Sequence, residues 1–416
     1  MQIAQVSKAD SIGGGASTVA DILSEEYRKM TISALHYCLY SESGFDYKRR
    51  PIGGHDNTSV IDLSAAMKQQ YGFADLIPFE YRHFEEERLR YPTDLYHFHD
   101  LTSAVSPLTL MNLARHTPVI WTIHDCSTFT GGCLYPMDCE KWTQNPGCFD
   151  CPQHGLWPLD TVVDTAWVNR QVRSVLHKMP NLTLVSPSHW MAHQALQSGI
   201  VTKPVRIIPN GIPNGNFKRL DINTARDEIG IGRDALTLCF SSGHLKDERK
   251  NIKDAIRALR IVRDANLTVI ALGHMSDEIA EMLPDVNLIA PGFISDKDVL
   301  ARYLVASDAL VFTSLADNHP LSILEAMAAG TAVLGYATGG VPEQINHGTT
   351  GLLTPSSDVD TLLGLFRTLP SREKLIEMGQ AAKADYMGRF TSSLMATRYI
   401  DLYESEIRQF ESVSLG

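Results

Sequence analysis

The sequence predicts an α/β protein with two doubly wound domains, each built on a parallel sheet. Its 416 residues are enough for two or three domains. Short β-rich runs alternate with helical patterns along most of the chain, which is typical of parallel sheets with crossover helices. The composition, 44% hydrophobic and 20% charged residues, is ordinary for a globular protein and excludes disordered and fibrous classes.

The second half of the chain shows this alternation most regularly. Residues 236–241 form a predicted buried strand, and apolar residues recur at helical spacing from 251 to 264. Further strands are predicted at 267–273, 286–289, 309–312 and 332–335. We therefore expect a doubly wound unit of about 170 residues.

The first half is less regular but similar. A strand is predicted at residues 2–6, followed by Gly13-Gly14-Gly15 and a helix at about 17–28. Later strands are predicted at 95–98, 119–123, 182–186 and 205–208. A long insertion rich in Cys, Pro and Trp separates the strands at 119–123 and 182–186.

The turn-rich stretch 209–215 predicts an interdomain linker. The expected domains are 1–210, with a Cys-rich insertion at about 126–158, and 211–390. The segment 391–416 is expected to be a helix that packs back on the first domain. Parallel sheets bind ligands at the carboxyl ends of their strands, so a cleft between the two domains is the expected site.

Charge and composition exclude several classes of protein. A net charge of −11 argues against a general nucleic-acid binder. The apolar runs are shorter than the roughly 18 residues of a membrane span, and the N-terminus does not resemble a signal peptide. Seven cysteines are too few for a disulfide scaffold in a chain of this length.

Gly13-Gly14-Gly15 follows the first strand and opens the first helix. Glycines at this position let backbone N–H groups approach a phosphate or a sugar at the positive end of a helix. The pattern is not G-x-G-x-x-G, and no acidic residue closes a convincing second strand about 20 residues later, so support for a dinucleotide site is weak. A tight strand-to-helix turn is the alternative.

A group of cations follows the strand at 236–241. Gly243 and His244 precede Arg249 and Lys250, and a helix is expected directly after them. Cations at the carboxyl end of a strand, with a helix N-terminus behind them, suit a diphosphate. A solvated basic loop is the alternative.

Asp317 and Glu325 lie eight residues apart around Pro320, which can occupy the first turn of a helix. Such a pair can accept hydrogen bonds from two sets of hydroxyl groups at once. The alternative makes Asp317 a residue near the helix cap and Glu325 a structural carboxylate.

This spacing resembles the E-x7-E element of family 4 glycosyltransferases, which have the GT-B fold. Other pieces that match the family are Ala326-Met-Ala-Ala-Gly330-Thr-Ala-Val, Gly339-Gly340-Val-Pro-Glu343, Gly348, Gly351-Leu-Leu, Pro187-Ser188 and Pro209-Asn210-Gly211-Ile212. His124 to Cys133 reads His-Asp-x-x-x-Phe-Thr-Gly-x-Cys, which is similar to bacterial exopolysaccharide and lipopolysaccharide transferases. The resemblance spans roughly residues 1–405.

The resemblance implies a retaining enzyme that moves a sugar from a nucleotide-diphosphate sugar to a glycan or lipid-linked saccharide in bacterial surface polysaccharide synthesis. It implies two Rossmann-like domains, an N-terminal one for the acceptor and a C-terminal one for the donor. It also implies no cofactor for catalysis, no nucleic-acid partner, and a cytoplasmic protein that can lie at the inner face of the membrane. The alternatives are another GT-B enzyme, such as a sugar epimerase or phosphorylase, and a non-catalytic subunit that binds nucleotide sugars.

Site residues follow from the same resemblance. The implied catalytic residues are His124 and Asp317, and the acceptor-binding residues are His99 and Asp125. The implied donor-binding residues are Gly14, Gly15, Gly243, Arg249, Lys250, His319, Leu321, Ser322 and Glu325. The chain departs from the family twice, with Asp317 in place of Glu and His244 in place of Arg, so the phosphate charge rests on Arg249 and Lys250.

Two histidines flank Phe98 at the end of a predicted strand. Alternation along the strand places His97 and His99 on one face, where they can line an acceptor pocket. A structural role is the main alternative, and a His-x-His metal pair is a weaker one.

Asp358-Val359-Asp360 has the form of the D-x-D metal motif of the other glycosyltransferase fold. It follows three turn residues and precedes Leu362, so we interpret it as a helix cap. Catalysis is therefore expected to need no divalent ion.

Four cysteines lie in the insertion with the spacing C-x5-C-x8-C-x2-C: Cys133, Cys139, Cys148 and Cys151. This spacing resembles a small zinc knuckle, and a structural zinc ion would order an insertion that has little core of its own. Reduced or oxidised cysteines without metal are the alternative. Cys126 is a further ligand or a packed thiol, and Cys38 and Cys239 are expected in the core.

Overall fold

The protein consists of two compact units, as seen in a computed structural model. The structure describes residues 1–54, 58, 61–63, 65–67, 76–217, 220–241, 247–274 and 276–414. One unit contains Met1–Asn210 and Ser392–Gly416, and the other contains Gly211–Thr391. Each unit has its own parallel sheet and its own hydrophobic core, so the predicted fold class of two Rossmann-like α/β domains is confirmed.

The first unit is built on a doubly wound sheet. Its strands are β1 (Gln2–Ala9), β2 (Ser33–Tyr40), β3 (Arg49–Pro51), β4 (Leu95–Phe98), β5 (Val119–Thr122), β6 (Leu182–Ser186) and β7 (Val205–Ile207). The described strands pair in parallel in the order β3-β2-β1-β4-β5-β6-β7. The winding reverses between β1 and β4, and such switch points are where sheets of this type bind ligands.

Helices cover this sheet because each has an apolar face. They are α1 (Gly15–Lys29), α2 (Tyr81–Arg90), α3 (Pro107–Leu113), α4 (Ala166–Leu176) and α5 (His189–Gln197). In α1 the buried positions Val19, Leu23 and Tyr27 recur every four residues, so one stripe of the helix faces the sheet.

The second strand, β2, lies about 20 residues after the glycine run and was not among the predicted strands. β2 occupies that place and pairs with β1 along its length. Its interior contains His36, whose Nε2 lies 2.8 Å from the hydroxyl of Ser7. This polar residue interrupts the apolar pattern of the strand, and its Nδ1 lies 3.4 Å from Oδ1 of Asp21 on α1.

The second unit repeats the architecture. Its strands are β8 (Leu236–Ser241), β9 (Leu267–Leu272), β10 (Asn287–Gly292), β11 (Ala309–Phe312), β12 (Ala332–Ala337) and β13 (Gly351–Pro355). The described strands are parallel, in the order β10-β9-β8-β11-β12-β13. The neighbours β8 and β11 therefore bring the segments that follow them to the same edge of the sheet.

The helices of the second unit connect these strands. They are α6 (Ile222–Ile229), α7 (Ile252–Arg260), α8 (Ser276–Met282), α9 (Lys297–Ala306), α10 (Leu321–Ala329), α11 (Val341–Gln344), α12 (Val359–Arg367) and α13 (Arg372–Arg389). Asp358 caps α12 by accepting a hydrogen bond from the N–H of Thr361 at 3.0 Å, so its interpretation as a helix cap is confirmed.

The last helix, α14 (Ser392–Ser414), belongs to the first unit. It buries Tyr399 and Tyr403, and the hydroxyl of Tyr403 lies 2.9 Å from that of Tyr27 in α1. Neither α14 nor any other helix in the described ranges is both long and apolar enough to cross a bilayer.

Candidate active site

One carboxylate holds two cations at the carboxyl edge of the second sheet. Asp317 accepts a hydrogen bond from Arg249 Nη1 at 3.0 Å on Oδ1 and another from Lys250 Nζ at 2.9 Å on Oδ2. Burial raises the pKa of Asp317, but the charges of Lys250 and Arg249 outweigh this effect and hold its pKa below the ordinary value. The carboxylate is therefore ionised and fixes the positions of both cations.

The backbone around this cluster is tied together across β8 and β11. The carbonyl of Arg249 accepts the N–H of Leu315 at 2.7 Å, and Thr313 Oγ1 donates to the carbonyl of Asn251 at 3.0 Å. Asp247 caps the 3-10 turn Glu248–Lys250, and its carboxylate also accepts from Arg249 Nη2 at 3.1 Å. Asp247 is a positioning residue that the sequence analysis missed.

Glu325 lies on α10 beside a different cation. Its Oε1 accepts a hydrogen bond from Lys297 Nζ, on α9, at 3.2 Å. The Lys297 side chain is 55% exposed and that of Glu325 is 18% exposed. Ion pairs this accessible to water are weak, so Glu325 can exchange Lys297 for the hydroxyl groups of a ligand.

The start of α10 lies between Asp317 and Glu325 in the chain. Pro320 is its N-cap and provides no side-chain cap hydrogen bond, so the first-turn N–H groups at Leu321 and Ser322 are the donors that a helix start offers to an anion. Gln344 Nε2 donates to His319 Nδ1 at 3.1 Å and to the Pro320 carbonyl at 3.1 Å. His319 Nδ1 is thus an acceptor, which places the proton of the neutral ring on Nε2.

The glycine run of the first unit has three different local roles. A Cβ at Gly13 would lie 2.4 Å from Ser17 Oγ, so this position requires glycine for close packing. Gly14 has a φ of 93°, which also favours glycine. A Cβ at Gly14 or Gly15 would meet no heavy atom within 4 Å, so ligand atoms can approach this backbone. The remaining predicted glycine, Gly243, lies outside the described residues.

His124 follows β5 and contacts a second histidine. His99 Nδ1 lies 3.1 Å from His124 Nε2, and His99 Nε2 donates to Gln5 Oε1 at 2.7 Å. Burial lowers the pKa of His124 to about 3 and lowers that of His99 well below its ordinary value, so both rings are neutral. Because the Nε2–H of His99 donates to Gln5, the Nδ1 of His99 has no proton and accepts a hydrogen bond from the Nε2–H of His124. His124 Nδ1 is then the acceptor nitrogen of that ring.

A buried hydrogen-bond network supports these two histidines. Gln5 Nε2 donates to the Tyr403 hydroxyl at 3.1 Å, and that hydroxyl lies 2.6 Å from His97 Nδ1. His97 Nε2 lies 2.7 Å from Thr122 Oγ1, which in turn lies 2.9 Å from the Tyr399 hydroxyl. Both nitrogens of His97 are therefore engaged, which favours a structural role over a metal pair with His99.

Two carboxylates lie near these histidines. Asp125 accepts the N–H of Ser127 at 2.8 Å and so caps a short 3-10 turn. Asp100, which directly follows His99, accepts hydrogen bonds from the N–H of Lys8 at 2.5 Å and from Ser17 Oγ at 3.1 Å. Burial raises the pKa of Asp100 to about 6 despite these bonds. Its position at the end of β4 is the signal that could have marked it as a site residue.

The four cysteines of the insertion share one small cavity. Cys133, Cys139, Cys148 and Cys151 all line it, its volume is about 20 Å³, and none of them forms a disulfide. Across the described part of the chain, no group of three or more His, Cys, Asp or Glu side chains is arranged to hold a metal ion. Cys126 does not line the cavity and packs with its sulfur 4.0 Å from that of Met191.

Comparison with known proteins connects these features to one family. The family model "Glycosyltransferase Family 4" matches residues 13–214, and the model "Glycosyl transferases group 1" matches residues 222–385. The chain is 27% identical over 326 residues to WcaC of Escherichia coli (strain K12), a candidate colanic acid biosynthesis glycosyl transferase, covering 74% of this chain and 76% of that protein.

Solved structures share the fold at low sequence identity. Sucrose-phosphate synthase from Thermosynechococcus elongatus matches with a TM-score of 0.71 at 17% identity, covering 99% of this chain and 100% of that one. HepE from Anabaena, solved in complex with UDP-glucose, matches with a TM-score of 0.66 at 17% identity, covering 97% and 100%. Two family models in succession and a shared two-domain fold lead to one conclusion: the chain belongs to the family 4 glycosyltransferases of the GT-B fold.

Proposed function

We propose that the protein transfers a sugar from a nucleoside-diphosphate sugar to a glycan or lipid-linked saccharide during the assembly of a bacterial surface polysaccharide. The observation that carries this proposal is the pair of cations, Arg249 and Lys250, held by Asp317. Negative charge grows on the diphosphate as its bond to the sugar breaks, and cations already in position stabilise that charge without reorganising. The UDP-glucose complex of HepE makes UDP-sugars the first donors to test.

In the proposed donor site, each group has a separate task. Arg249 and Lys250 neutralise the diphosphate, and the N–H groups at the start of α10 add hydrogen bonds to it. Glu325 releases Lys297 and accepts the ribose hydroxyls. Asp317 keeps the two cations in position and, with His319, contacts the donor sugar.

The proposed reaction retains the configuration of the anomeric carbon. The bond from that carbon to the diphosphate oxygen breaks, a bond from the acceptor oxygen forms on the same face, and the acceptor proton passes to the departing phosphate. No protein nucleophile takes part. Because the pKa of His124 is about 3, its ring acts as a neutral hydrogen-bonding group at the reacting sugar, with Nδ1 accepting from a hydroxyl.

The acceptor side of the proposal involves the first unit. His99 contacts His124, and Asp125 directly follows His124 in the chain. We therefore place His99 and Asp125 in the proposed acceptor site. A lipid-linked acceptor would bring the enzyme to the inner face of the membrane as a peripheral protein. Sedimentation with vesicles that carry a lipid-linked saccharide, compared with plain vesicles, tests this association.

Mass spectrometry of transfer products tests the function. The full-length protein is incubated with UDP-, GDP-, ADP- and dTDP-sugars and a panel of saccharide and lipid-linked acceptors. We expect one acceptor to gain one sugar residue for each nucleoside diphosphate released, with the anomeric configuration retained in the NMR spectrum of the product. A sugar phosphate or an epimerised donor, formed without transfer, would instead support another GT-B enzyme. Binding of nucleotide sugars without turnover would support a non-catalytic subunit.

A further inference from the structure

The insertion between β5 and α4 is ordered with little regular structure. All residues from 123 to 165 are described, and their regular elements are two 3-10 turns, Cys126–Thr128 and Lys141–Thr143. Its core contacts include the Trp142 ring, which packs 5.6 Å from the Phe129 ring. A segment of this kind needs another source of cohesion, and its four free cysteines face one cavity.

We propose that Cys133, Cys139, Cys148 and Cys151 bind one structural zinc ion in this cavity. Four thiolates are the ligand set of closed, tetrahedral zinc sites. The cavity volume of about 20 Å³ is close to the space that a single water needs, so it suits one ion and excludes a larger ligand. The four side chains as described do not have the arrangement of a metal site, so the proposal requires their sulfur atoms, which line the same cavity, to converge on the ion when it binds.

Hydrogen-bond donors directed at the sulfurs support the assignment. They are the N–H of Gly131 at Cys148 and the N–H groups of Gln153 and His154 at Cys151. Burial raises the pKa of both cysteines, and these donors oppose that effect; donors in this position also orient sulfur ligands around a metal. Two of the four sulfurs thus have backbone donors of the kind that surround a metal-bound thiolate.

Nearby cations can balance the charge of the occupied site. On binding, each thiol releases its proton to water and forms a sulfur–zinc bond, so four protons leave and the four thiolates with Zn²⁺ carry a net charge of −2. Lys141 lines the cavity and donates to the carbonyl of Asp150, in the turn between Cys148 and Cys151, at 2.6 Å. Arg170 favours the thiolate of Cys148. Both cations therefore offset the negative charge of the site.

Elemental analysis tests the proposal independently of any sugar transfer. Full-length protein purified without added metal is expected to carry about one zinc ion per chain. A mercurial reagent that modifies thiols should release that zinc in step with the reaction of the cavity cysteines. Zinc-free protein that is folded and has these thiols free would overturn the proposal. So would an intact mass that shows two disulfides.

Substitutions assign the ion to this cavity. Cys133→Ala and Cys148→Ala are each expected to lose at least nine-tenths of the bound zinc. The matched control is Cys126→Ala, because Cys126 is buried but does not line the cavity. This control should retain the zinc. Zinc retained in both cavity variants would contradict the assignment. If a cavity variant does not fold, the mercurial reagent still tests the assignment on the wild-type protein. Zinc should be released only when the cavity cysteines react, and modification of the cysteines outside the cavity should release none.

Discussion

His99 Nδ1 and His124 Nε2 lie 3.1 Å apart, and their rings stack with centroids 5.3 Å apart. Both rings are neutral, so one must donate to the other, and the bond from His99 Nε2 to Gln5 sets the direction. The partners of Gln5 extend to Tyr403 in the last helix. The tautomer of His124 is thus set by residues from three other parts of the chain.

Replacing His124 by alanine should reduce kcat strongly. In the proposed mechanism its Nδ1 makes a hydrogen bond that strengthens in the transition state, and loss of one such bond lowers kcat by about 10²–10³-fold. Nucleotide affinity should stay close to that of the wild type, because the proposed nucleotide contacts lie in the second unit. Steady-state kinetics, nucleotide titration and Tm are measured on the same variant. A stable His124→Ala protein with near-normal kcat would remove His124 from the mechanism.

The pH profile of kcat/KM should show no titration of His124 near neutrality. Burial lowers its pKa to about 3, compared with about 6.5 for a free histidine, so the ring remains neutral from pH 5 to pH 8. The wild-type profile is compared with that of His124→Gln. A limb near pH 6.5 that disappears in the variant would show that His124 gains a proton during turnover.

Asp100 should make the protein less stable as the pH rises from about 4 to about 6. Its pKa is about 6 in the folded state and about 3.9 in the unfolded chain, so the folded protein binds more protons in this window. Asp100→Asn removes that proton uptake. The free energy of unfolding of the wild type should therefore fall relative to the variant by about 1–3 kcal/mol between pH 4 and pH 7. Denaturant curves at several pH values measure this difference, and parallel pH dependences would contradict it.

Asp317 should show the opposite pH dependence. Its pKa is lowered in the folded protein, so its stabilising effect is present above about pH 4 and is lost as the pH falls through its folded pKa. At pH 7, Asp317→Asn should cost about 1–3 kcal/mol of unfolding free energy, because two partly buried cations lose their carboxylate. Asp227→Asn is the control, since Asp227 pairs with Arg233 at an exposed site. Equal Tm changes in the two variants would contradict the role given to Asp317.

The sequence predicted strands best where an apolar run stood alone. The strands at 95–98, 182–186, 236–241 and 309–312 have the predicted bounds. β3 consists of Arg49, Arg50 and Pro51 and has no apolar pattern, and it is held by pairs such as Arg50 with Glu87, from a distant helix. β13, at Gly351–Pro355, was not among the predicted strands. Edge strands of this kind depend on tertiary partners, which local propensity does not contain.

The candidate site was predictable where topology alone brings residues together. Arg249 and Asp317 follow β8 and β11, which pair directly, so a parallel sheet was enough to place them at one edge. The partners of Glu325 and His319, Lys297 and Gln344, belong to other helices and follow no motif. Such contacts depend on how helices pack on the sheet, which the spacing of residues in one segment cannot supply.

Titration of nucleoside diphosphates tests the central claim, that the second unit binds the donor through Lys250 and Glu325. UDP, GDP and ADP are titrated into the wild type by calorimetry and then into Lys250→Ala and Glu325→Ala. Lys374→Ala and Glu377→Ala are the matched controls, because these residues form an exposed ion pair in the same unit. We expect one nucleotide to bind the wild type and both controls equally well, and to bind each site variant about 10- to 100-fold more weakly. Unchanged affinity in both site variants, or no binding of any nucleotide to the wild type, would contradict the account.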